Sequence, residues 1–187
     1  LAAFAQAHPE IRIDLEERPT ADTLEALDRK SADIGIIVRG PPLSGLASFP
    51  YAKDRLAVAV NRRNPLAKRH AVRLIELVEE DFVALEVGTA VHRLIDEKAR
   101  ALGHFLRLRV QVRSFEVMCQ MVAQGLGIGI LPDAALRPLA EALGIALVRL
   151  DEPWAERDLD IVTAPDIEPN QATSLLLAAL REAGLAP

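Results

Sequence analysis

Between residues 114 and 132 a capped helix, a glycine turn and a short apolar strand follow one another with no spacer. Ser114 is a good N-cap, and Glu116 falls in the first turn, where the positive end of the helix dipole favours a carboxylate. Val117, Met121 and Val122 recur at helical spacing and give the helix one apolar face. Gly125 stands where a left-handed residue ends a helix, and Gly127 and Gly129 permit close backbone approach. Leu131 closes the strand, and Pro132 cannot continue its hydrogen-bond ladder. The helix start at Ser114 and Phe115 is thereby expected on the side of a strand's C-terminal end, where α/β proteins bind small ligands.

The rest of the chain repeats this alternation. Residues 1–7 are helical in pattern and stop before His8 and Pro9. Ile11, Ile13 and Leu15 alternate with Arg12, Asp14 and Glu16, which predicts a half-buried strand over 11–17. Pro19 opens a helix capped by Thr20 or Asp22, and residues 33–38 form a buried strand broken by Arg39, Gly40, Pro41 and Pro42. Further strands are predicted over 56–60, 82–87, 107–112, 145–150 and 159–163. Helices are predicted over 72–77, 91–102, 134–143 and 171–183, with Gly88, Thr89 and Ala90 leading into the second and Gly144 ending the third. Strands that alternate with helices in this way predict an α/β fold with mostly parallel sheets. The crossovers at Thr20, Thr89 and Ser114 share one design, a hydroxyl residue at a helix start.

Composition closes several routes. A formal charge of −5 argues against a nucleic-acid surface in this chain, which would be basic. The apolar runs stop short of a bilayer span, and the first nine residues lack the basic start of a secretory signal, so a cytoplasmic protein without membrane contact is expected. The single cysteine, Cys119, excludes an internal disulfide and reads as a small buried hydrophobe among Val117, Met118, Met121 and Val122. His8, His70 and His104 lack metal-ligand spacing, so no metal site is expected. Ser114 has no G-x-S-x-G elbow around it, and Gly125, Gly127 and Gly129 do not follow G-x-G-x-x-G. The acidic run Glu76, Glu79, Glu80 and Asp81 reads as a solvated helix end. No catalytic residue and no cofactor are expected.

The run from Met121 through Gly125, Gly127 and Gly129 to Leu131 and Pro132 resembles the "VaaGlGialLP" signature of LysR-type transcriptional regulators, in their C-terminal effector-binding domain. Other segments agree in order. Phe4 with His8 and Pro9 resembles the family's first helix end, Ala32-Asp33-Ile34-Gly35-Ile36 its "lDlai" strand, and residues 54–60 its "d.lvlv" strand. Asn64-Pro65-Leu66-Ala67 is similar to "hPLa", and Pro153-Trp154 through Arg157 to Leu159 is similar to the closing "w…r.l" segment. Lys30 departs from the pattern, standing where the family often has a glycine at a helix end.

The resemblance implies a two-lobed fold like that of periplasmic binding proteins, each lobe a mostly parallel sheet flanked by helices. Lobe I would comprise residues 1–60 and 157–187 and lack its first strand; lobe II would comprise 61–156. The DNA-binding winged helix-turn-helix would lie outside this chain and make the only DNA contact. A small, anionic effector would bind in the crevice between the lobes, since helix starts favour negative charge. Carried over by resemblance, its contacts are Thr20, Arg39, Gly40, Thr89, His92, Ser114, Phe115 and Ile130. For the hydroxyl residues simple capping is compatible with ligand contact. Arg39 is either a bidentate partner for a ligand carboxylate or a solvated loop arginine, and His92 either a ligand contact or an exposed histidine. The resemblance also implies a homodimer or tetramer, in which residues 1–7 and 11–17 meet the helix over 115–124 of a partner. A solute-binding receptor of a transport system shares the expected fold and is the alternative.

Overall fold

The computed structural model describes residues 1–184 apart from 17, 41, 42, 44, 87, 88 and 165–169. The expected break at Pro41 and Pro42, the strand end at Val87 and the turn at Gly88 lie outside the described residues. The chain divides into two units, Leu1–Lys53 with Arg157–Pro187, and Asp54–Glu156. The first contains α1 (Ala2–Ala7), α2 (Thr20–Asp28), β1 (Gly35–Val38), the start of β2 (Ala47–Asn61), nearly all of β8 (Glu156–Thr163) and α6 (Gln171–Gly184). The second contains the rest of β2, then β3 (Ala71–Val72), β4 (Asp81–Leu85), α3 (Ala90–Ala101), β5 (Arg107–Val112), α4 (Phe115–Ala123), β6 (Gly129–Pro132), α5 (Asp133–Leu143) and β7 (Ile145–Leu150).

In the first unit β8 lies between β1 and β2, and its pairing with β1 is antiparallel, Ile37 opposite Asp160. Leu27, Ile37 and Val162 form the buried centre, with Leu24, Ala32, Leu43 and Leu46 packed around it. Gly35 is required there, because a Cβ at this position would press on Thr23, Leu27 and Val162. Alternate residues of β1 point to opposite faces, so Ile37 is buried while Ile36 is 44% exposed.

Two expectations change in this unit. Residues 11–16 belong to no helix and no ladder; Ile11 and Ile13 are half-buried and Leu15 is 76% exposed. Alternation marks a strand only where a neighbour takes up its hydrogen bonds, and among the described residues none does. The cap of α2 is Pro19, not Thr20 or Asp22, and no side chain closes that helix start. Thr20 is the first helical residue, while Thr23 Oγ1 donates back to the Pro19 carbonyl at 3.2 Å.

The second unit has two cores on the two faces of its strands. Leu56, Val58 and Val60 pack with Val91, Ile95 and Ala99 of α3, whereas Ala57 and Ala59 pack with Met118, Cys119 and Val122 of α4 and Leu136 and Ala140 of α5. Five consecutive buried residues thus follow from strand periodicity with a helix on each face. The α/β class with helices flanking sheets is as expected, but the pairing is more mixed than alternation suggests. β4 with β5 and β3 with β7 are parallel, while β2 is antiparallel to both β6 and β7. The reason is topological. Strands joined by a helix do run the same way, as β6 and β7 do around α5, but β2 enters between them in the opposite sense.

Two helix ends fix the local geometry. At the end of α4, Gly125 N–H donates to Val122 O at 2.9 Å and Leu126 N–H to Met121 O at 3.1 Å, with Gly125 at φ +77°. This is a Schellman ending, and the amide of Asn61 donates to the Ala123 carbonyl beside it. The end of α2 has the same form, Lys30 N–H to Leu27 O and Ser31 N–H to Ala26 O, but the left-handed residue is Lys30, at φ +57°. The lysine that departs from the family's glycine therefore keeps the glycine's conformation.

Replacing Lys30 by glycine is expected to raise unfolding stability by about 1 kcal/mol, the left-handed cost of a side chain less the added chain entropy. Urea denaturation with an unchanged m-value would show it. Gly127→Ala is expected to cost on the order of 2–3 kcal/mol, because its Cβ collides with the Asp81 carbonyl, whereas Gly125→Ala meets nothing within 4 Å and costs about half as much. Equal losses for the two glycine variants would contradict the close approach.

Candidate functional site

The register of β4 and β5 decides where two helices begin. The strands are parallel, with Leu85 opposite Val112, and Glu86 N–H extends the ladder to Val112 O at 2.9 Å. Each strand then turns into a helix, β4 into α3 and β5 into α4, so both helix starts rise from one edge of the unit. Ile128 joins β4 in the parallel sense, through Val83 N–H to Ile128 O and Ile128 N–H to Asp81 O, both 2.8 Å. β6 continues from there into α5.

Side chains cap two of these starts. Thr89 Oγ1 accepts from His92 N–H at 3.3 Å, and Ser114 Oγ accepts from Val117 N–H at 3.2 Å. Each hydroxyl satisfies one donor of the first turn. The amides of Ala90 and Val91, and of Phe115 and Glu116, precede those bonds at the positive end of each dipole, and among the described residues no hydrogen bond from them is seen. Arg113 and Glu86 pair across the strand ends at 2.6 Å, and the carboxylate keeps the guanidinium in its charged form. Phe115 is half-buried against the α4–α5 core.

His92 is not the exposed histidine that its polarity suggests. It is 8% exposed, and its Nδ1 is buried with no hydrogen-bond partner among the described residues. It lines a small apolar chamber together with Ile130, which is itself buried. The spacing of His92, Ile95 and Ala99 at i, i+3 and i+7 places the histidine on the buried face of α3, a signal legible in the sequence.

The remaining candidates, Thr20, Arg39 and Gly40, belong to the first unit. Thr20 is half-buried at the start of α2, and Gly40 is exposed with open space around it. Arg39 is held by carboxylates of its own unit. Its Nε donates to Asp160 Oδ2 at 2.9 Å, its Nη2 to Asp160 Oδ1 at 2.6 Å, and its Nη1 to Asp158 Oδ2 at 3.3 Å. Ser48 Oγ adds a bond to Asp160 at 3.1 Å. Asp160 is buried, and the Arg39 guanidinium lowers its pKa below the ordinary carboxylate value of 3.8 against the opposing effect of burial. Sequence reasoning missed both aspartates, although Asp158 and Asp160 two apart on a strand share one face.

Cys119 is fully buried, and burial pushes its thiol pKa up, which removes thiolate reactivity at neutral pH. Among the described residues no group of histidine, cysteine and carboxylates converges on a metal position, and no helix is long and apolar enough to cross a membrane.

The ends of parallel strands, where helices start, are where α/β folds bind small ligands when they bind them. The family described as the LysR substrate binding domain matches residues 1–185, and the chain belongs to it. It is 26% identical over 182 residues to the uncharacterized HTH-type transcriptional regulator YbhD of Escherichia coli (strain K12), covering 96% of this chain and 56% of that protein. Identity to the HTH-type transcriptional regulator CysL of Bacillus subtilis (strain 168) is 22% over 181 residues, covering 97% of this chain and 60% of CysL. The chain thus spans little more than half the length of these relatives. Among solved structures, the CcmR regulatory domain of Synechocystis PCC6803 in complex with 2-PG aligns with a TM-score of 0.86 at 21% identity, over 98% of this chain and 88% of that one. The effector-binding domain of QuiR in complex with shikimate aligns with a TM-score of 0.80 at 17% identity, over 98% and 87% of the two chains.

The Arg39–Asp160 contact makes a pH prediction. Because the folded-state pKa of Asp160 is depressed, its contribution to stability is complete above the ordinary value of 3.8 and is lost as pH falls through the lower folded value. Unfolding free energy measured from pH 6 downward is expected to fall less steeply in Asp160→Asn than in the unsubstituted protein. Parallel acid profiles would mean that the pair carries no linkage.

Proposed function

We propose that this chain is the effector-sensing part of a transcription regulator and that it takes a small anion at the starts of α3 and α4. The observation that carries this reading is the pair of capped helix starts on one edge of the β4–β5 pair, in a chain that belongs to the LysR substrate binding domain family. Two sets of backbone donors with aligned dipoles favour a carboxylate or phosphate without a dedicated cation. That CcmR and QuiR were solved with 2-PG and shikimate supports a small molecule of this kind. Thr89, Ser114 and Phe115 are the first residues to test.

The effector acts by its differential affinity for two arrangements of the protein, and its leverage on DNA binding equals that difference. DNA contact belongs to a region outside this chain, in keeping with its acidic balance. Relatives that are regulators, YbhD and CysL, favour this reading over a transport receptor and over an enzyme, and support a cytoplasmic role beside the chromosome. A homodimer is part of the proposal, and the exposed Val117 on α4 supports the helix as a contact surface.

Thermal-shift screening against small carboxylates, phosphates, neutral sugars and amines tests the anion site. An anion at a hundred times its Kd adds about 2.7 kcal/mol, or roughly 5–10 °C in a domain of this size. Stabilisation by neutral or cationic compounds only, with every anion inert, would sink the helix-start argument.

A further inference from the structure

The buried imidazole of His92 points to the chemical class of the effector. His92 is the third residue of α3, and a helical side chain at that place leans back over the turn before it, toward the helix start. Its ring lines a chamber of about 10 Å³, room for roughly one water-sized group. The walls are apolar, with Phe82, Leu85, Val91, Met118 and Ile130 contributing side chains that offer no hydrogen bond. Leu85 ends β4 and Val91 sits in the first turn of α3, so these two lining residues bring the chamber beside the start of α3 and the amides of Ala90 and Val91. A buried imidazole nitrogen without a partner costs free energy for as long as it stays unpaired. A ligand group that pairs it recovers that cost on binding.

We propose that His92 Nδ1 accepts a hydrogen bond from a hydroxyl of the effector, so that this site selects small hydroxylated acids over their deoxy counterparts. The assignment rests on the anion reading of the α3 start given above. The neutral tautomer with hydrogen on Nε2 leaves Nδ1 an acceptor, and a hydroxyl is the smallest organic donor that fits a space of one water. The acid group meets the free amides of the first turn, and the hydroxyl enters the chamber beside them. Two points are then read at once, a charge by peptide dipoles and a hydroxyl by one imidazole. A methylene in the hydroxyl's place would leave the nitrogen unpaired in the complex. Discrimination therefore comes from a penalty on the wrong ligand as well as from a bond to the right one.

The test is calorimetric titration of the full chain with acids in matched pairs: lactate and propionate, malate and succinate, 3-hydroxybutyrate and butyrate. The hydroxy acid of at least one pair is expected to bind about tenfold more tightly than its deoxy partner. Its binding should also move the ring ¹⁵N resonance of His92, identified by its loss in His92→Asn. His92→Phe, which keeps a ring of similar shape and removes the acceptor, should bring the ratio close to one. Should the phenylalanine variant fail to fold, the paired titration and the nitrogen shift on the unsubstituted protein still decide. Equal affinities within every pair, or a preference that survives His92→Phe, would overturn the assignment while leaving the anion site standing. If no acid of either series binds, the anion reading itself fails and this assignment with it.

Discussion

Residues 56–60 of β2 have no exposed face, and the second unit is organised around that fact. A strand buried on both sides needs a helix layer on each, which α3 supplies on one face and α4 with α5 on the other. Helices on both faces in turn require crossovers, and crossovers bring the strands they join into the same direction. Once β4 and β5 run side by side, their C-terminal ends coincide and the helices that follow must start together. The gathering of amide donors on one edge is therefore a consequence of covering β2. It needed no separate arrangement of the loops.

Much of this was legible in the residues. Thr89 and Ser114 announce their helices because a hydroxyl before an apolar periodic run has a local job, and local hydrogen bonds do not depend on distant packing. Cys119 among apolar neighbours was legible for the same reason. Thr20 was misread because Pro19, with its fixed φ, begins the helix one residue earlier and leaves the threonine inside it. The first half of β2 escaped notice because Pro50 sits within the alternation of Ala47, Phe49 and Tyr51 and argues against a paired strand, while the partner β8 lies more than a hundred residues away. Arg39 could not be matched with Asp160 across 121 positions by any local rule. The burial of His92 was the recoverable miss, since its spacing from Ile95 and Ala99 outweighs its polarity.

The charges divide differently from what a binding site for an anion suggests. The arginine that looked suited to a ligand carboxylate is held by two aspartates of its own unit, and the edge proposed for recognition in the second unit would rely on peptide dipoles. Backbone donors attract negative charge but distinguish poorly between a carboxylate and a phosphate. Selectivity in such a site has to come from shape and from the few side chains that reach it.

The two ends of α4 are held unequally. Beyond Ala123 the chain is locked by the Schellman bonds, by the Asn61 amide on the Ala123 carbonyl, and by Gly127 pressed against the Asp81 backbone. At the other end a single serine hydroxyl makes the side-chain contact with the first turn. Packing holds that end instead: Phe115, Met118 and Cys119 lie against the core, while Val117 on the outer face stays exposed. The helix is thus fastened by hydrogen bonds at its end and by side-chain contacts near its start, which leaves its outer face free to carry a contact without disturbing either hold.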